Sequence, residues 1–84
     1  MEWDVVHVQV TGPHLLFVKF RDGVEGEVQF KPSFFRGVFA HLADDQEFSQ
    51  VRLVDGAVTW PQELDLAPDA MHDALKTRRC WVVE

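Results

Sequence analysis

Residues 51–69 read VRLVDGAVTWPQELDLAPD, and the way this stretch folds decides the rest of the chain. Val51–Val54 and Ala57–Trp60 flank Asp55-Gly56. A two-residue loop sets Leu53 opposite Val58, Arg52 opposite Thr59 and Val51 opposite Trp60, which keeps like with like. Asp-Gly is a favoured pair for such a type I′ turn. Pro61 lacks the N–H that a central strand needs, so the strand stops there or lies at an edge. Leu66-Ala67-Pro68-Asp69 then starts a helix, with Pro68 at its first position, Asp69 in its first turn and Leu66 placed to staple against Met71. Met71, Ala74 and Leu75 form its apolar stripe, and Lys76, Arg78 and Arg79 complement its C-terminal end.

Upstream, Asp4 to Val10 alternates as a strand, with Val6, Val8 and Val10 on one face and Val5, His7 and Gln9 on the other. Thr11-Gly12-Pro13 interrupts it, and Leu15 to Phe20 forms a second strand. In Val24 to Phe30, Val24, Val28 and Phe30 share one face and Glu25, Glu27 and Gln29 the other. Parity fixes the turn between these strands. A two-residue Asp22-Gly23 loop would set Phe20 against Glu25, whereas a three-residue loop pairs Phe20 with Val24, Leu16 with Val28 and Lys19 with Glu25. A type I turn with Gly23 in the left-handed region as a G1 bulge is therefore expected.

After Phe30 the pattern changes. Pro32 fixes the backbone, Ser33 can cap, and Phe34-Phe35-Arg36 is one helical turn before Gly37. Val38, Phe39 and Leu42 are the next apolar anchors. Asp44 followed by Glu47 has capping-box spacing and opens a short helix through Phe48. Cys80-Trp81-Val82-Val83 is strand-like and either adds to a sheet edge, in this chain or a neighbour's, or packs as an irregular cover. The expected fold is α+β: a mainly antiparallel sheet built from hairpins, covered by short helices and one C-terminal helix.

With 84 residues, 46% hydrophobic and 26% charged, the chain suits a single domain over residues 1–84. Eight Lys and Arg against 14 Asp and Glu give a net charge of -6, which disfavours nucleic acid as a partner of the whole surface. Cys80 is the only cysteine, so no disulfide within the chain and no Cys-rich zinc site can form. The N-terminus lacks a secretory signal, and no segment approaches the roughly 20 apolar residues of a bilayer span. A cytoplasmic protein without membrane contact is expected.

Phe20-x-Asp22-Gly23, Phe30-x-Pro32, Gly37-Val38-Phe39-x-x-Leu42, Phe48-x-x-Val51, Asp55-Gly56-x-Val58-x-Trp60-Pro61 and Asp65-Leu66-x-Pro68-Asp69 occur in order between about Val5 and Leu75. In these motifs the chain resembles the small bacterial proteins of domain-of-unknown-function family 2442. The resemblance implies a small α+β domain that works by interaction or regulation more than by catalysis, and it brings no established active site. Some members are encoded beside another small protein, in a toxin–antitoxin-like arrangement. The chain departs from the family where Gln62-Glu63-Leu64 precedes Asp65 in place of an Asn-Gly turn, and where Ala67 replaces a capping Ser.

Four groups of residues are candidate sites. Asp69, His72 and Asp73 share a helical face at i, i+3 and i+4 and could hold a divalent metal, with Asp65 as a fourth ligand; the bland alternative is a solvated face. His41 with Asp44 and Asp45 suits acid–base work only in a cleft, and His7 and His14 read as isolated, exposed residues. Trp60 is a core plug or, with Pro61, an apolar contact surface. Trp3 and Trp81, near the termini, are better placed for partner contact.

No nucleophile triad, phosphate loop or nucleotide fingerprint is present, and no cofactor is expected. The sequence supports a non-enzymatic protein-interaction module, with self-association through the C-terminal tail compatible, and the resemblance implies an antitoxin-like regulatory partner of a protein encoded nearby. The alternatives are a metal-assisted enzyme using Asp69, His72 and Asp73, and a nucleic-acid regulator using Lys76, Arg78 and Arg79.

Overall fold

The computed structural model describes residues 3–61 and 64–83, the side chain of Val38 excepted. Strands β1 (Val5–Gly12), β2 (Leu15–Phe20) and β3 (Glu25–Phe30) come first, followed by two 3₁₀ pieces (Pro32–Phe34 and Gly37–Ala43) and helix α1 (Asp45–Phe48). Then come β4 (Arg52–Val54), β5 (Ala57–Trp60), β6 (Leu64–Asp65), helix α2 (Pro68–Arg78) and β7 (Cys80–Val83). They build a four-stranded sheet in the order β1-β2-β3-β7 and a three-stranded sheet in the order β4-β5-β6. Every pairing is antiparallel except β3 with β7. The fold is thus α+β and mainly antiparallel, divided between two sheets.

Both turns decided by parity form as expected. Leu16 pairs with Val28 and Lys19 with Glu25, while the Gly23 N–H donates to the Phe20 carbonyl and Phe20 to the Val24 carbonyl. Gly23, at φ 96°, takes the left-handed position that makes a three-residue loop possible. In the second hairpin Arg52 pairs with Thr59 and Leu53 with Val58, and Asp55 and Gly56 have φ 52° and 79°, the type I′ pattern. The ladder begins at Arg52, one residue short of a Val51–Trp60 pair.

In β1 the expected faces are not kept. Val5 pairs with Phe20 and His7 with Lys19, so Val6 is the extra residue of a bulge. Val5 therefore enters the core and Val6, expected beside Val8 and Val10, is 49% exposed. A backbone bond from the Val5 N–H to the Gly56 carbonyl, 2.8 Å, ties the two sheets together at this point. The second unforeseen element is β6: the strand ends near Pro61, but the chain turns back and pairs Leu64 with Trp60 and Asp65 with Thr59. Gln62 and Glu63, where the chain departs from the family pattern, lie outside the described residues.

Asp44 caps α1 as expected, its Oδ1 accepting from the Gln46 N–H at 2.8 Å. Ser33 does not cap; the first 3₁₀ piece starts after Lys31 without a side-chain cap, and Gly37, at φ 61°, opens the second piece. This layer brings an aromatic cluster against the sheets. The Phe30 ring stands 5.0 Å from Phe34, 5.2 Å from Phe48 and 5.9 Å from Trp60, the edge-on arrangements that aromatic quadrupoles favour. Trp60 is fully buried and its Nε1–H donates to the Phe48 carbonyl at 2.9 Å. Its indole thereby keeps a hydrogen bond while filling the junction between the sheets.

Helix α2 starts at Pro68 with Ala67 as N-cap and no side-chain cap bond. Leu66 and Met71, the expected staple, are both buried, as is Leu75. The helix ends on Arg79 in the left-handed conformation, φ 60°, which reverses the chain so that β7 can run parallel to β3, with Val28 beside Trp81 and Phe30 beside Val83. This settles the role of the C-terminal tail: it is the edge strand of the chain's own larger sheet.

Candidate functional site

A short polar contact between distant elements joins the β2–β3 turn to α2. The His72 Nε2–H donates to Asp22 Oδ2 at 2.8 Å, and the Phe20 ring stacks edge-on against the imidazole at 5.0 Å. Asp22 Oδ1 also accepts from the Val24 N–H at 3.1 Å, closing the turn. The His72 imidazole, and next the Val24 N–H, hold the Asp22 carboxyl below its ordinary value of 3.8.

A carboxylate orienting an imidazole is half of a general-base arrangement. The depression beside it, about 280 Å³ and lined by Gly23, Val24, Glu25, Leu75, Lys76 and Arg79, offers no Ser, Thr or Cys nucleophile to complete one. The pair clamps the turn to the helix. His72 stands three residues before buried Leu75, at the margin of the apolar stripe, and that position is the one sequence signal for an inward-facing imidazole.

The metal set expected on α2 is not assembled. Among the described residues no three His, Cys, Asp or Glu side chains come close enough together to hold a metal ion. His72 turns to Asp22 instead, and Asp69 Oδ1 accepts from the Ala70 N–H at its own helix start. The His41, Asp44 and Asp45 group divides as well: Asp44 caps α1, while Asp45 lies 3.5 Å from His14 Nε2.

His14, expected to be exposed and isolated, is part of the fold. It occupies the β1–β2 turn at φ 53°, donates from Nε2 to the Ala43 carbonyl at 2.8 Å and lies 4.5 Å from the Phe35 ring. It fastens the hairpin tip to the helical layer.

The aromatic candidates also separate. Trp60 is core, so it offers no contact surface; Pro61 beside it is half-buried. Trp3 is 36% exposed, and Trp81 is half-buried on β7. Lys76, Arg78 and Arg79 are all exposed at the C-terminal end of α2, where cations stabilise the helix dipole. The Arg79 carbonyl accepts from the Glu27 N–H at 3.1 Å.

Among the described residues, the large apolar side chains left exposed are Trp3, Val6, Val54 and Val82. Val54 is two residues from Gly56, whose carbonyl binds the Val5 N–H, and β1 touches β4. Trp3, Val6 and Val54 thus lie around the junction of the two sheets. Val82 lies at the far edge of the larger sheet.

The family described as "Protein of unknown function (DUF2442)" matches residues 5–77. The chain belongs to this family. No curated protein and no solved structure matches it. The family motifs fall on structural joints: the Asp22-Gly23 turn with its clamp, the Asp55-Gly56 turn, the Trp60 plug and the Pro68 helix start. Trp3 and β7 lie outside the matched span. No helix among the described residues is long and apolar enough to cross a membrane.

Proposed function

We propose that this DUF2442 protein is a non-enzymatic protein-interaction module, an antitoxin-like regulatory partner of a protein encoded nearby. The observation that carries the reading is the β1 bulge, which turns Val6 out of the core to 49% exposure. A bulge re-aims a side chain at the expense of ladder hydrogen bonds, and here it moves an apolar group into solvent on the strand that meets β4, where Val54 is exposed too. Apolar side chains gathered at one surface mark contact sites, and a Trp among them supplies the large rigid area that anchors interfaces. The antitoxin-like setting itself rests on the family resemblance.

Co-expression with the protein encoded beside it is the test. A stoichiometric complex is expected, with a change in Trp3 fluorescence on binding and loss of the complex in Val6→Glu. Recovery of the two proteins apart, or a complex indifferent to Val6→Glu and Trp3→Ala, overturns the reading.

A further inference from the structure

Strand β7 is a short open edge that carries no bulge, charge or proline. Edge strands are ordinarily blunted by bulges, charges or proline, and the opposite edge, β1, has register irregularities at Val5/His7 and Val10/Gly12. β7 is Cys-Trp-Val-Val, with no irregularity in its register against β3. Cys80 and Val82 are exposed. Between this edge and α2 runs a groove of about 530 Å³ flanked by Asp73, Ala74, Thr77 and Arg78 of the helix.

The backbone pattern of the edge is defined. The Arg79 carbonyl accepts from the Glu27 N–H at 3.1 Å and the Val83 carbonyl from the Lys31 N–H at 2.9 Å. Because bonding direction alternates along a strand, Arg79, Trp81 and Val83 turn their peptide groups toward β3, and Cys80 and Val82 turn theirs outward.

We propose that β7 pairs antiparallel with β7 of a second copy about a two-fold axis through Trp81, joining the two larger sheets into one. Cys80 of one copy then stands opposite Val82 of the other, and each such pair exchanges both backbone hydrogen bonds. The outward groups lie symmetrically about Trp81, as an isologous contact requires.

The groove walls are self-complementary as well. Asp73 and Arg78 both line the groove, so the rotation carries the base of one helix toward the acid of the other. The local charge is balanced although the chain carries -6, which favours a second copy over a strongly basic peptide. This contact is separate from the Trp3, Val6 and Val54 surface and stands or falls independently of it.

Sedimentation equilibrium of the full chain across the micromolar range tests the pairing. A mass approaching twice the 9.7 kDa of one chain is expected. Val82→Pro removes an outward N–H at an edge position where proline is tolerated, so it should leave the circular dichroism unchanged and yield monomer. Val82→Lys, which keeps the backbone intact, should raise the dissociation constant at least about tenfold by placing a charge on the edge.

Cross-linking reads the register. Val82→Cys under mild oxidation should form a disulfide to Cys80 of the second copy. Wild type should not, because Cys80 to Cys80 spans about 8–9 Å in this pairing, beyond the reach of roughly 7 Å. A wild-type monomer at all concentrations, dimers unaffected by both Val82→Pro and Val82→Lys, or wild-type cross-linking equal to that of Val82→Cys would each overturn the proposal.

Discussion

Gly26→Ala is a single added methyl group that the α2–β7 corner cannot accommodate. Gly26 lies on the core face of β3, directly beneath the left-handed Arg79 that ends α2. A Cβ there would stand 2.8 Å from the Arg79 carbonyl carbon, closer still to its oxygen, and 2.9 Å from Leu75 Cδ2. Carbon atoms in contact sit about 3.5–4.0 Å apart, so the helix end must retreat by about 0.7–1 Å. That retreat stretches the 3.1 Å bond from Glu27 to Arg79 beyond useful length, at about 1 kcal/mol. Overpacking adds about 1–3 kcal/mol, for a total loss of roughly 2–4 kcal/mol. At 3 kcal/mol, a domain of this size melts about 12–24 °C lower.

Urea unfolding followed by tryptophan fluorescence measures the loss, with hydrogen exchange at β7 showing whether that strand loosens first. Gly12→Ala is the control, since its Cβ would meet only the Leu15 side chain, Cδ2 at 3.6 Å and Cβ at 3.8 Å, both ordinary contacts. Equal stability for Gly26→Ala and wild type would refute the close approach on which this reasoning depends.

Three further outcomes are expected. Because the folded-state pKa of Asp22 is lowered, the ionised carboxyl contributes stability above its unfolded value near 3.8 that is lost as pH falls through the folded value; Asp22→Asn should flatten the acid limb of a urea-midpoint series, and an unchanged limb would count against the clamp. Trp60→Phe loses the bond to the Phe48 carbonyl and should destabilise by about 1–3 kcal/mol, Trp60→Ala by about 3–5 kcal/mol, both read by chemical denaturation. Ala67→Ser supplies the missing cap of α2 and should stabilise by about 0.5–2 kcal/mol, seen as a higher melting temperature.

Parity arguments worked wherever one register alone kept polar and apolar faces apart. The Asp22-Gly23 and Asp55-Gly56 hairpins differ by one loop residue, and only one choice in each kept Glu25 or Arg52 out of the core. In β1 the adjacent Val5 and Val6 satisfy either face, so nothing in the local pattern marked the bulge. β6, two residues long, is too short to show a period. The clamp between Asp22 and His72 and the fastening of His14 to Ala43 join residues far apart in sequence, and a single chain carries no signal of which distant partner a histidine meets. Gly26 did leave a trace: a glycine in an otherwise alternating strand marks close backbone approach. The exposed apolar groups were only partly legible: the exposure of Trp3 follows from its place near the terminus, whereas that of Val6 and Val54 depends on the packing of two sheets.

The parallel β3–β7 pairing also orders events in time. β1, β2 and β3 can assemble from neighbouring segments, but the helical layer, the smaller sheet and α2 all lie between β3 and β7 in the chain. Closing so long a loop costs entropy before its contacts repay it, so β7 should still be unpaired in the transition state and dock on the native side of the barrier. Substitutions along it would then accelerate unfolding while leaving the refolding rate almost untouched, and the free side of β3 would stay open throughout the early stages of folding.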